Sequence, residues 1–131
     1  MLEDIVLAVR DYLRENLTNP NDPNVAGDSW IFTAYHSHEP MYPMITVEGE
    51  IISTKHYRDL EDGLVLSEFI ADVKVKVWSN TMKQRDELAD DVVQLLLNAE
   101  LGYTITTTSN REKSPNCRIV EFKVHFLEGG V

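Results

Sequence analysis

LVLSEFIADVKVKVWSNTMKQRDELADDVVQLLL, residues 64–97, changes its apolar period part-way along. From Phe69 to Val77 every second residue is apolar: Phe69, Ala71, Val73, Val75 and Val77. Glu68, Asp72, Lys74 and Lys76 fall between them. Successive side chains of a strand point to opposite faces, so this stretch predicts a long half-buried antiparallel strand over 64–78. After Thr81 the period lengthens. Leu88, Ala89, Val92, Leu95, Leu96 and Ala99 recur at helical spacing, and Thr81-x-x-Gln84 offers a capping box at the start. A helix is expected over 82–99, with Gly102 just past its end.

The same two periods recur on either side. Leu2, Ile5, Val6, Val9, Tyr12, Leu13 and Leu17 form one apolar stripe, predicting a helix over 2–17 with Glu3 and Asp4 in its first turn. Pro20 and Pro23 end it, and 18–29 reads as a loop. WIFTAYHSH, 30–38, is rich in aromatic and β-branched residues and predicts a strand. Pro40 and Pro43 bias their predecessors to an extended backbone, so 39–43 reads as a kinked connection. Strand 44–53 sets Ile45, Val47 and Ile51 against Thr46, Glu48 and Glu50, with Gly49 a candidate bulge. TKHYRDLEDG, 54–63, shows no period and reads as a charged loop ending in the turn signal Asp62-Gly63. A strand over 103–109, a turn over 110–116 and a strand over 117–127 complete the chain, the last with Val120, Phe122, Val124 and Phe126 inward. The expectation is a single α+β domain over 1–131, with an antiparallel or mixed sheet of about five strands and two main helices packed mainly on one face.

At 131 residues the chain suits one domain with a real core, and 43% apolar and 26% charged residues are ordinary for a globular protein. The net charge of −10 disfavours a sequence-independent grip on nucleic acid, which needs a basic surface. Acids early in MLEDIVLAVRDYLREN leave no basic stretch ahead of an apolar one, so a secretory signal is not expected. Nothing approaches the length of a membrane-spanning helix. The lone Cys117 has no internal disulfide partner, which suits a reducing compartment.

Motifs for nucleotide, zinc-protease or serine-hydrolase chemistry are missing from the sequence. His36 and His38 share a strand face and could meet a metal, with a further ligand needed from His56, Cys117 or His125. The plainer reading is two polar residues at a strand end, and neither metal nor cofactor is expected. Cys117 would need a nearby base to act as a nucleophile, and Arg118 next to it points the other way. Glu48 and Glu50 share a strand face, as solvent-facing acids on half-buried strands do; Asp90 and Asp91 lie on the polar side of a helix. Catalysis is therefore not expected. The candidate contact residues are Lys55, Tyr57, Arg58, Asp59, Leu60 and Glu61 in the charged segment, with Asp62 at its rim, and Trp78 at the end of the long strand. The exposed edge of strand 44–53 is a further candidate contact.

The order of these pieces resembles the tail-terminator and tail-completion proteins of long-tailed bacteriophages and related archaeal viruses. The features that carry the resemblance are the N-terminal amphipathic helix, Tyr42-Pro43-Met44-Ile45-Thr46-Val47, the variable charged segment, SEFIADVKVKVW running into TMKQRDELADDVVQLLL, and the closing strand CRIVEFKVHF. It covers nearly the whole chain as a pattern, without one diagnostic motif. It implies a non-enzymatic virion protein at the head-proximal end of the tail, present in host cytoplasm during assembly. Such a protein forms a ring, usually a hexamer, that stops tube polymerisation and joins tail to head. Its implied partners are further copies of itself, the tail-tube protein and the head connector, with the free chain possible as a monomer. A head-completion or neck protein of the same kind of virus is the neighbouring reading. A small metal-binding intracellular protein is the distant one.

Overall fold

In the computed structural model, residues 2–20, 30–35, 41–58, 61, 63 and 65–130 are described. The chain runs α1 (Leu2–Asn16), β1 (Ile31–Phe32), β2 (Met44–Arg58), β3 (Val65–Trp78), α2 (Met82–Leu97), β4 (Thr104–Ser114) and β5 (Cys117–Gly130). The five strands form one sheet in the order β1-β2-β3-β5-β4. β1 runs parallel to β2 and all other neighbours are antiparallel, so this is a mixed sheet in one α+β domain, as the sequence patterning requires.

One alternation decides which face the helices cover. Val73, Val75 and Val77 of β3 face the same way as Ile45 and Val47 of β2 and Val120, Phe122 and Val124 of β5. Ile5, Val9 and Leu13 of α1 and Ala89, Val92 and Leu96 of α2 close over them in a single buried cluster. Each valine, leucine, isoleucine and phenylalanine among them contributes roughly 1.5–3 kcal/mol through removal from water. Arg14, in the last turn of α1, donates from Nε and Nη2 to the carbonyl of Ile31, at 3.0 and 2.6 Å. That contact ties the helix to β1.

The start of α2 follows its sequence signal only in part. Thr81 Oγ1 accepts the backbone N–H of Gln84 at 3.2 Å, as an N-cap should. The Gln84 side chain does not return to the cap backbone. It accepts from Ser79 Oγ at 2.6 Å instead. One turn on, Arg85 is buried against the β4–β5 turn. Its Nε donates to Asp86 at 2.9 Å, and its Nη1 reaches Glu112 and the carbonyls of Ser114 and Pro115. Arg118 of β5 completes the network on Asp86.

Three boundaries differ from the sequence reading. The charged stretch 54–58 is strand rather than loop: β2 continues to Arg58, paired residue by residue with β3 down to Val65. Likewise 110–114 belongs to β4, and the turn contracts to Pro115 and Asn116. Both stretches lack alternation because neither of their faces is covered by apolar side chains, and the helix contact to 110–114 is the polar one from Arg85. The strand expected over 30–38 is only Ile31–Phe32; residues 36–40 lie outside the described part. Gly49 pairs regularly with Val73, and the bulge falls at Ile52.

Candidate functional site

The far half of the β2–β3 hairpin is an arm with both faces open. From Thr54 to Arg58 every residue of β2 is exposed, and so are Val65 and Leu66 opposite. On the face away from the helices, Tyr57 lies across from Leu66, and Lys55 across from Glu68. Ile52, Tyr57, Val65 and Leu66 are each about half exposed, and Leu127 of the neighbouring strand is 58% exposed. Tyr57, Leu66 and Leu127 share the face away from the helices, an apolar patch that makes this the candidate contact surface.

Polar contacts fix the arm's base. Glu68 accepts the Tyr57 hydroxyl at 3.1 Å and pairs with His125 Nε2 at 3.0 Å. The His125 contact, then the Tyr57 hydroxyl and the charges of His125 and Lys55, hold the Glu68 carboxyl below its ordinary range against a desolvation effect that pushes it up. On the helix side, His56 Nδ1 bonds Ser67 Oγ at 2.7 Å, and its ring stands edge-on to Phe69.

The sequence-derived contact residues do not all meet. Lys55, Tyr57 and Arg58 lie together on the arm, and Glu61 is exposed in its turn. Asp59, Leu60 and Asp62 lie outside the described residues. Trp78 stands at the opposite end of β3, paired with Met44 and Cys117. There it is half-buried in an aromatic cluster: Tyr35 packs edge-on at 4.8 Å, Tyr42 stacks at 6.2 Å, and Lys113 Nζ sits 5.8 Å above the ring. The sequence reading missed Leu66 and Leu127 on the arm face. Their signal was the unbroken Leu64-Val65-Leu66 run and an apolar residue at 127, out of phase with the inward series.

The aromatic cluster is held together by its own contacts. Tyr35 and Tyr42 share a hydroxyl hydrogen bond of 2.9 Å. Burial first, and then that bond, push the Tyr42 phenol up from 10.0 to about 12. A phenol raised in the folded state contributes stability below pH 10 that is lost as pH rises toward 12. Ultraviolet titration of the native protein is expected to show a tyrosine ionising near pH 12, and Tyr35→Phe is expected to lower that value.

Cys117 is buried beneath the same cluster, and burial pushes its thiol up, away from the reactive thiolate. Among the described residues, no three His, Cys, Asp or Glu side chains are placed to hold a metal; His36 and His38 lie outside that part. Glu48 and Glu50 do share the open face. Glu48 pairs with Lys76 at 3.2 Å. Asp90 and Asp91 are exposed on α2. No helix among the described residues is long and apolar enough to cross a membrane. No protein-family model matches the chain, and no curated protein does.

Proposed function

We propose that this protein is a structural component of a virus particle: a tail terminator whose copies form a ring on the last layer of the tail tube, stop its growth and join tail to head. The observation that carries the reading is the β2–β3 arm, an ordered ladder that leaves Tyr57, Leu66 and Leu127 in water on the same face as Lys55, with Arg58 at its tip. An arm of this kind buries few of its side chains in its own domain, and it suits binding to a second protein. Copies joined head to tail close into a ring when the rotation between them divides a full turn, and a closed ring on a tube tip leaves no face for the next layer. The likeness in element order to tail terminators supports the same reading from the sequence side.

Incubating the purified chain with preassembled tubes of the same virus and imaging them by electron microscopy tests the proposal. Ring-shaped density at one end of each tube, and none along the shaft, is the expected result. Decoration along the whole shaft, or bare tube ends at saturating protein, contradicts it.

A further inference from the structure

The sheet ends in two open edges. β1 covers β2 only at Ile45 and Thr46, and among the described residues nothing pairs with the outer side of β2 from Val47 to Arg58. The outer side of β4, Thr104–Ser114, is likewise unpaired. Long exposed edges invite another strand, and monomeric proteins usually blunt them.

We propose that these edges are made for each other: β4 of one copy adds antiparallel to the outer edge of β2 of the next. This rests on the ring reading above, because it takes a second copy of the chain as the partner. Strand direction agrees. β2, β3, β5 and β4 alternate, so a neighbour's β2 laid beside β4 in the same orientation continues an antiparallel sheet.

The irregularities select the register. β2 carries a bulge at Ile52, between Ile51 and Ser53, and β4 carries one at Thr108, between Thr107 and Ser109, with a second at Lys113, between Glu112 and Ser114 and beyond the aligned stretch. Each bulge exchanges the faces of the residues beyond it. With Arg111 opposite the neighbour's Glu50, Ser109 falls opposite Ser53 and Thr106 opposite Lys55, and the two bulges lie side by side. From Thr104 to Arg111, every residue of β4 on the face away from the helices then meets one on the same face of β2. This alignment also leaves Ile45 and Thr46 to β1. Charges agree as well: Arg111 and Lys113 of β4 approach Glu48 and Glu50 of β2, opposite signs where like signs would repel. The contact is heterologous, edge to opposite edge, as a ring needs.

Ser53→Cys and Ser109→Cys test it, because both are small changes on the open face. Under mild oxidation, the chain carrying both substitutions is expected to give a ladder of cross-linked species on a reducing-agent-free gel. Each single variant alone is expected to stay monomeric, as does the unmodified chain with its buried Cys117. Mixing the two single variants is expected to give dimers and nothing larger. Self-cross-linking of Ser53→Cys alone would mean a two-fold β2–β2 contact and would overturn the edge pairing. No cross-link in the double variant, while light scattering finds closed rings, would overturn it and leave the ring reading standing. No self-association at any concentration, on tubes or off, would end both. A ladder from a protein that fails to cap tubes would keep the pairing and remove the terminator reading.

Discussion

Arg85→Ala is expected to lower the free energy of unfolding by about 3 kcal/mol, the lower end of the cost of breaking a buried ion pair. Arg85 is only 3% exposed. Its guanidinium serves Asp86, Glu112 and the carbonyls of Ser114 and Pro115 together, so truncation leaves the whole β4–β5 turn without its donor. Both carboxylates are about half exposed and regain water, which keeps the loss from being larger. Urea denaturation checks the value, with the midpoint falling and the slope unchanged. Arg85→Lys is expected to recover part of the loss, since an ammonium keeps the charge but not the fork. Acid sensitivity carries a second signature. The hydrogen bond from Arg85, then the charges of Arg85 and Arg118, hold the Asp86 carboxyl below its ordinary 3.8 against desolvation. A depressed carboxylate contributes stability present above that ordinary value and lost as pH falls through the depressed one. Arg85→Ala is therefore expected to flatten the pH dependence of stability below pH 3.8.

The second large effect is on assembly rather than folding. Tyr57→Asp together with Leu66→Asp places two carboxylates directly opposite each other on the arm. Both positions are exposed and outside the buried core, so the fold is expected to persist, with the thermal midpoint lowered by the opposed carboxylates and the lost Tyr57–Glu68 hydrogen bond. Tube capping is expected to weaken about a hundredfold. An aromatic contact of hot-spot quality is worth about 2 kcal/mol, and the buried carboxylates add to that loss. An arm that merely trails in solvent would tolerate the change without effect. Charge reversal of Arg58 is expected to act in the same direction but less strongly, because a rim charge is worth less than a buried anchor.

Much of the fold was legible because one face of each element is buried. Val73, Val75 and Val77 could only be a strand packed on one side, and Val92, Leu95 and Leu96 could only be a helix stripe. Legibility failed where burial ended. Lys55, His56, Tyr57 and Arg58 form a strand held by its ladder to β3, and with no buried face their sequence carries no period. Asn110, Arg111, Glu112 and Lys113 read as a turn for the same reason, although they extend β4. Arg85 sat unnoticed on a helix whose other buried residues are Ala89, Val92 and Leu96, because an arginine advertises solvent unless its partners are known. Those partners come from β4 and the following turn, far along the chain. Of the expected contact residues, Lys55, Tyr57 and Arg58 lie on the arm, while Trp78, expected as an anchor because it ends its strand on the polar phase, belongs to a cluster at the other end of the sheet.

The terminator reading stands or falls on whether the chain stops tube growth. Adding it to tube protein of the same virus during polymerisation, and measuring tube lengths by electron microscopy, tests this directly. Lengths that stop increasing once the chain is present, and keep increasing with the Tyr57→Asp, Leu66→Asp variant, are the expected result. Tubes that lengthen at the same rate with and without the unmodified chain would contradict it.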